Sequence, residues 1–210
     1  QLAKKIDDKD LLSHIELGIG SFKINIGAYP SAVQNLESAL VYNRQSGNKS
    51  LNAEIKDKLA LAHAGMGQHS AALQFLDEAK KEAAAVNDNY LQVLISLHSA
   101  DILGATEEYT EAFTLLGKIR PLMKQPGYEN ILTESYLLEA ELSLQAGNQQ
   151  KAAAALESIR ATVLSATNFR FRMTYFSLAG SAASAMNNLQ EAADAYESAI
   201  AEYNKAAHSL

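Results

Sequence analysis

Apolar positions along this chain recur with two nested periods. Within a segment they follow one another at spacings of four and three, which places them on one face of a helix. Between segments the whole pattern returns after 40 residues. The stretch from Gly27 to Ala32 aligns with Gly67 to Ala72, Glu107 to Ala112, Gly147 to Ala152 and Asn187 to Ala192, with no insertion or deletion. The last column of that alignment reads Ala32, Ala72, Ala112, Ala152, Ala192. Four positions on stand Leu36, Leu76, Leu116, Leu156 and Tyr196, and three beyond those Ala39, Ala79, Ile119, Ile159 and Ala199. An alanine on such a face lets the two helices of a hairpin approach closely, and the larger residue one turn on fills the gap between them. A single hairpin cannot bury this face alone, so neighbouring hairpins must stack.

Two columns of turn formers punctuate the pattern. The first reads Gly27, Gly67, Glu107, Gly147, Asn187, and Gly and Asn tolerate the positive φ that ends a helix. The second reads Asp7, Gly47, Asn87, Gly127, Thr167, followed by Asp8, Asn48, Asp88, Tyr128 and Asn168, which are mostly helix N-caps. Each 40-residue unit is therefore helix, turn, helix, turn. First helices are expected near 11–26, 51–66, 89–106, 129–146 and 169–186, and second helices near 30–46, 69–86, 109–125, 149–166 and 189–206. Pro30 suits the opening turn of its helix, whereas Pro121 falls inside a second helix and should kink or shorten it.

The pattern resembles the tetratricopeptide repeat family. The residues that carry the resemblance are Gly27, Tyr29 and Ala32, Tyr109 with Ala112, Leu36 with Ala39, Leu76 with Ala79, and Tyr196 with Ala199. Gly20, Ala60, Ala100, Ala140 and Gly180 occupy the small-residue column of the first helix. The likeness spans residues 11–206. It departs in that the usual unit has about 34 residues, while these have 40, and the tryptophan often seen in the first helix is missing. The resemblance implies an all-α fold: a right-handed α-solenoid of five helix-turn-helix repeats, about ten antiparallel helices, forming a single repeat domain over 1–210. Its units would be approximately 9–48, 49–88, 89–128, 129–168 and 169–210. Residues 1–8 align with the tail of a preceding unit, and no polar capping helix closes the other end. The reading is therefore of a piece of a larger protein.

Composition narrows the functions. The chain has 18 Lys and Arg against 24 Asp and Glu, a net charge of −6. The richest basic stretch, Lys4-Lys5, is offset by Asp7, Asp8 and Asp10, so nucleic-acid binding by this chain is not expected. With no cysteine there are no disulfides or cysteine-based metal sites. No apolar run reaches the length of a membrane helix, so no membrane insertion is expected, and the compartment, cytoplasmic or periplasmic, stays open.

The family resemblance implies a concave surface lined by the first helices. By phase it takes His14, Leu17, Ser21 and Ile24 from the first unit, and Glu54, Asp57, Leu61 and Ala64 from the second. The third supplies Leu94, Leu97, Asp101 and Gly104, the fourth Glu134, Leu137, Glu141 and Leu144, and the fifth Thr174, Ser177, Ser181 and Ser184. Five of these twenty positions are acidic and none is Lys or Arg. An acidic groove with exposed leucines suits a protein or peptide ligand carrying basic and apolar side chains, such as an amphipathic helix. The alternative is that the acids are solvated surface and the leucines pack against the next repeat. Family members that clamp a chaperone's C-terminal carboxylate use Lys, Asn and Arg here, and Glu54, Asp57 and Glu134 argue against that role.

No motif points to chemistry. Gly18-x-Gly20 and Gly65-x-Gly67 follow no strand and lead into no phosphate loop. The histidines His14, His63, His69, His98 and His208 show no zinc spacing. Carboxylate pairs such as Glu139 with Glu141 are read as solvated helix surface, and the cluster of Phe169, Phe171, Tyr175 and Phe176 as core. No catalytic residue, metal or cofactor is assigned. The leading expectation is a non-enzymatic, protein- or peptide-binding interaction module acting as scaffold or regulatory domain. The alternatives are a sensing domain of a bacterial signalling protein or transcription regulator, and a self-assembly module that forms a homodimer through its uncapped ends.

Overall fold

The computed structural model describes residues 8–207. The readings made for residues 1–7 and for His208 lie outside them. The described residues form ten α-helices and one 3₁₀ turn, with no strand. The helices are α1 (Lys9–Asn25), α2 (Tyr29–Ser46), α3 (Lys49–Gly65), α4 (His69–Ala85), α5 (Asn89–Ala105), α6 (Tyr109–Ile119), α7 (Glu129–Gln145), α8 (Gln149–Ser165), α9 (Phe169–Ala185) and α10 (Leu189–Ala207), with the 3₁₀ turn at Arg120–Met123. Each α-helix starts 20 residues after the one before it, so the 40-residue period is two helices long.

Contacts divide the chain into two compact units, Gln1–Thr106 and Glu107–Leu210. In the first, α1 pairs with α2 and α3 with α4, α3 packs on α2, and α5 packs on α4 and α3. In the second, α7 pairs with α8 and α9 with α10, α9 packs on α8 and α7, and α6 with its 3₁₀ turn packs on α7.

The turn columns behave as their chemistry demands. Gly27, Gly67 and Gly147 have φ of 74°, 74° and 73°, and Glu107 and Asn187 adopt 64°. Between hairpins Gly47, Asn87 and Gly127 take 74°, 55° and 93°. Thr167 does not follow. A β-branched residue is disfavoured at positive φ, and α8 instead ends with Ala166 in extended geometry (φ −69°, ψ 143°). The first helices are capped by side chains. Asp8, Asn48 and Asp88 accept the backbone N–H of Leu11, Leu51 and Leu91 at 2.9, 3.1 and 3.0 Å, and Asn168 accepts that of Arg170 at 3.0 Å. Tyr128 makes no such cap. Pro121 shortens its helix as expected: α6 stops at Ile119, because a proline supplies no N–H and crowds the preceding turn.

The alanine and leucine columns form the core. Ala32, Ala72, Ala112, Ala152, Leu36 and Leu116 are fully buried, and Leu76 and Leu156 nearly so. In the first unit Leu36 and Ala39 of α2 share a cluster with Leu51, Ile55 and Ala62 of α3, and Leu76 and Ala83 of α4 share one with Leu91, Ile95 and Ile102 of α5. In the second unit Leu156 and Val163 of α8 meet Phe171, Tyr175 and Ala182 of α9. One face of α3, α5 and α9 is thus spent on the helix before it. The small-residue column sets the approach distance within a hairpin. A Cβ built on Gly20 would lie 2.7 Å from the Leu36 side chain, and one on Gly180 2.7 Å from the ring of Tyr196.

Candidate functional site

The groove positions expected from the resemblance fall on α1, α3, α5, α7 and α9, and their environments differ sharply. In the first unit Glu54 is exposed, Leu61 and Leu94 are half-buried, and Leu94 packs against the core. Asp57 is wholly buried. One carboxylate oxygen accepts a 2.6 Å hydrogen bond from His98 Nδ1 on α5, and the other accepts one of 3.0 Å from Lys58 Nζ. Burial alone would push the Asp57 carboxyl up, but the His98 hydrogen bond and charge, with Lys58 behind them, more than offset it and hold it below the usual carboxylate range. The expectation of Asp57 as a groove acid open to a ligand therefore fails: its charge is consumed in the joint between α3 and α5. Asp101, one turn beyond His98, stays on the surface. Partial desolvation raises its carboxyl pKa while His98 pulls the other way.

Two of the leucines expected at the surface are not there. Leu97 and Leu137 are 4% and 6% exposed. Leu137 joins the core cluster of Leu156, Phe171 and Tyr175, so the contact between α7 and α9 takes its side chain. Leu144 is half-buried against the same cluster. Glu134 is half-buried and Glu141 exposed. Glu139, read from sequence as solvated, instead receives Arg120 at 2.5 Å and Lys151 at 3.4 Å, and the Arg120 guanidinium lies 4.0 Å over the ring of Tyr136.

The second unit holds a cavity of about 470 Å³. Glu141, Thr174 and Ser177 from the expected groove line it, joined by Met173 and Leu178 of α9 and by Ala199, Ile200 and Tyr203 of α10. Thr174 and Ser177 are thus brought to Glu141, and the apolar wall comes from residues the phase argument did not include. A second depression, about 330 Å³, lies among α8, α9 and α10 and is lined by Arg160, Tyr175, Phe176 and Met186, among others. Of the four aromatics read as core, Phe171 and Tyr175 are buried and Phe176 packs half-buried against them, whereas Phe169 in the opening turn of α9 is exposed; Tyr175 meets Phe176 edge-on at 5.4 Å. Burial raises the Tyr175 phenol.

Sequence reasoning missed His98 and Lys58 around Asp57, and Ile200 and Tyr203 at the cavity. A signal for the first existed. Residues one period apart sit on adjacent first helices, and His98 is one position past the period from Asp57. For the second, Tyr203 stands in a column otherwise filled by Asn43, Ala83, Met123 and Val163, and its greater bulk marks it. Among the described residues no three His, Asp or Glu side chains are grouped to hold a metal ion, and no helix is long and apolar enough to cross a membrane.

No protein-family model matches the chain, and no curated protein does. Solved structures do. The chain is similar to BtubC (BKLC) from P. vanneervenii, with 16% identity and a TM-score of 0.78 over 97% of this chain and 85% of that one. It is also similar to the nearly identical TPR-like repeats of a Podosopora anserina putative kinesin light chain, at 18% identity and a TM-score of 0.65, covering 92% of this chain and 95% of that one. A point variant of those repeats gives 0.66 at 18% identity, over 93% and 96%. Identity at this level speaks for the fold: helical hairpins of the tetratricopeptide-like kind.

Proposed function

We propose that this chain, with its tetratricopeptide-like fold, is a non-catalytic interaction module that binds a protein segment bearing apolar and basic side chains in its second unit. The observation that carries the reading is the cavity of about 470 Å³ in the second unit, walled by Met173, Leu178, Ile200 and Tyr203 and bordered by Thr174, Ser177 and Glu141. It combines a mostly apolar wall with a few convergent polar groups, which is the usual make-up of a recognition site. The Glu141 carboxylate adds negative charge at the cavity, and charge of that sign speeds encounter with cationic ligands and selects against acidic ones. Asp57, Leu97 and Leu137 drop out of the binding set because their side chains are already engaged.

The test uses a labelled amphipathic helical peptide of Leu and Lys, with a Leu/Glu peptide of the same length for comparison, followed by fluorescence anisotropy at two salt concentrations. The Leu/Lys peptide binds and the Leu/Glu peptide does not. Glu141→Lys weakens binding at least fivefold, whereas Glu37→Lys, on a second helix of the other unit, leaves it within a factor of two. Equal binding of both peptides, or equal losses in the two variants, overturns the reading.

A further inference from the structure

The repeat lets one gap between helices be compared in three places. Each gap lies between two successive second helices, with a first helix as its floor. In the first unit, between α2 and α4 over α3, rings fill it. Phe75 of α4 packs against the cluster of Leu36 and Leu59 and stacks on His63 of α3, with centroids 5.1 Å apart and planes 22° from parallel. In the second unit, between α6 and α8 over α7, a flat cation fills it. The Arg120 guanidinium lies 4.0 Å from the centre of the Tyr136 ring and pairs with Glu139, which Lys151 of α8 also reaches.

Between α8 and α10, over α9, the same columns are stripped. Counting 120 residues on from His63 and Phe75 gives Ala183 and Ala195, and 40 on from Glu139 gives Ala179. All three alanines line the cavity of about 330 Å³. Phe176 stands where Tyr136 does and Arg160 where Arg120 does, but Arg160 is exposed and pairs with Glu157 of its own helix at 3.6 Å. The cavity is the space of a flat group that the chain supplies to itself in the other two places and leaves out here.

The chemistry of the lining says what fits. Tyr175 is 7% exposed and lines the cavity, and its hydroxyl is hydrogen-bonded to no described residue. A buried polar group of this kind calls for a partner, and a phenol oxygen can accept an N–H. The lining carries Glu157, Glu191 and Asp194 against Arg160 alone. Glu191 and Asp194 accept only from the neutral amides of Asn188 and Gln190, so their charge stays uncompensated. An aromatic face attracts a cation held within about 6 Å of its centre, and the volume falls at the small end of the about 300–1,000 Å³ usual for small-molecule sites. We propose that this cavity binds a small planar aromatic cation, its ring in the space left at Ala183 and Ala195 and its charged N–H groups met by the Tyr175 hydroxyl and the carboxylates of α10. The site shares no residue with the peptide cavity and stands or falls separately from it.

Benzamidine is the probe, titrated into the full chain and followed by amide NMR spectra and calorimetry. Benzoate offers the same ring with the opposite charge, and acetamidine the charge without the ring. Benzamidine shifts the amides around Ala183 and Ala195 saturably, and the other two bind at least tenfold more weakly. Glu191→Gln with Asp194→Asn, both exposed, weakens benzamidine at least fivefold and does not weaken benzoate. Tyr175→Phe weakens benzamidine about threefold. Ala183→His with Ala195→Phe rebuilds the stacked pair of the first unit; it abolishes binding and leaves the thermal midpoint no lower than in wild type. Glu141→Lys, at the other cavity, leaves benzamidine affinity within a factor of two. Absence of saturable binding, equal binding of benzoate or acetamidine, or unchanged affinity in the refilled variant overturns the proposal. Unchanged affinity in the carboxylate variant overturns it even where the refilled variant does not fold.

Discussion

Two glycines two residues apart on the same helix should respond to alanine in opposite ways. Gly18 and Gly20 both lie inside α1. In a helix interior, Gly→Ala gains about 0.8–1 kcal/mol from backbone entropy and helix propensity. At Gly18 nothing lies within 4 Å of the added Cβ, so that gain stands unopposed. At Gly20 the new methyl would sit 2.7 Å from Leu36 Cγ, 2.8 Å from its Cδ2 and 3.4 Å from the Ala32 carbonyl oxygen. Carbon atoms in favourable contact are about 3.5–4.0 Å apart, so the overlap approaches an ångström. Leu36 is fully buried, and the clash reaches Cγ rather than a free tip. Overpacking of this kind costs about 1–3 kcal/mol, and a side chain so enclosed puts the cost in the upper half. The net is a loss of about 1 kcal/mol for Gly20→Ala against a gain of about 1 kcal/mol for Gly18→Ala.

Urea unfolding followed by far-ultraviolet circular dichroism reads the difference. With an m-value of about 3 kcal/mol/M for a chain this long, the two midpoints should separate by about 0.6 M, one on each side of wild type. A cycle with Leu36→Ala isolates the cause. That change costs about 2–5 kcal/mol by itself, and in its background Gly20→Ala should turn neutral or stabilising, with a coupling of about 2 kcal/mol. If Gly20→Ala matches Gly18→Ala, or costs the same whether or not Leu36 is present, the close approach of α1 and α2 is not what the glycine column serves.

Two further outcomes follow from the geometry. Asp57→Asn keeps the shape but removes the carboxylate that His98 and Lys58 donate to, and should cost about 2–3 kcal/mol near neutral pH, below the full buried-pair penalty because those two side chains are 19% and 22% exposed. Because folded Asp57 holds its proton less tightly than the unfolded chain does, unfolding takes up a proton in the acid range. Wild-type stability from this pair is therefore complete above the ordinary carboxylate pKa and lost as pH falls below it, and thermal midpoints against pH should show a shallower acid limb in the variant. Glu107 holds φ of 64° where three equivalent turns use glycine. Glu107→Gly should stabilise by about 1 kcal/mol, raising the thermal midpoint by about 2–4 °C, while Gly147→Ala at the matching turn lowers it.

The local order of this protein was legible before any coordinates, because each signal acts within a few residues. Gly27, Gly67 and Gly147 ended helices through their own backbone freedom. Asn48 and Asp88 started them through side-chain oxygens three residues from the donors they satisfy, and Pro121 stopped α6 through its missing N–H. The observed helix starts match the expected ones to within two residues for this reason. The alanine and leucine columns likewise marked the core, since the face a helical residue occupies depends only on its phase.

What phase could not decide is which of the remaining faces meets protein and which meets water. That depends on groups a full repeat away. Asp57 and Glu54 are one turn apart on α3, yet one is wholly buried against His98 of α5 and the other is exposed. Leu137 and Leu144 share a helix face, and the core cluster on α9 takes the first more completely than the second. The same residue type in the same column differs too: Ile15 on α1 is 42% exposed, while Ile55 and Ile95, one and two periods on, are fully buried. Periodicity fixes direction around a helix axis, but accessibility is a property of the neighbour standing in that direction, and only the assembled hairpins supply or withhold it.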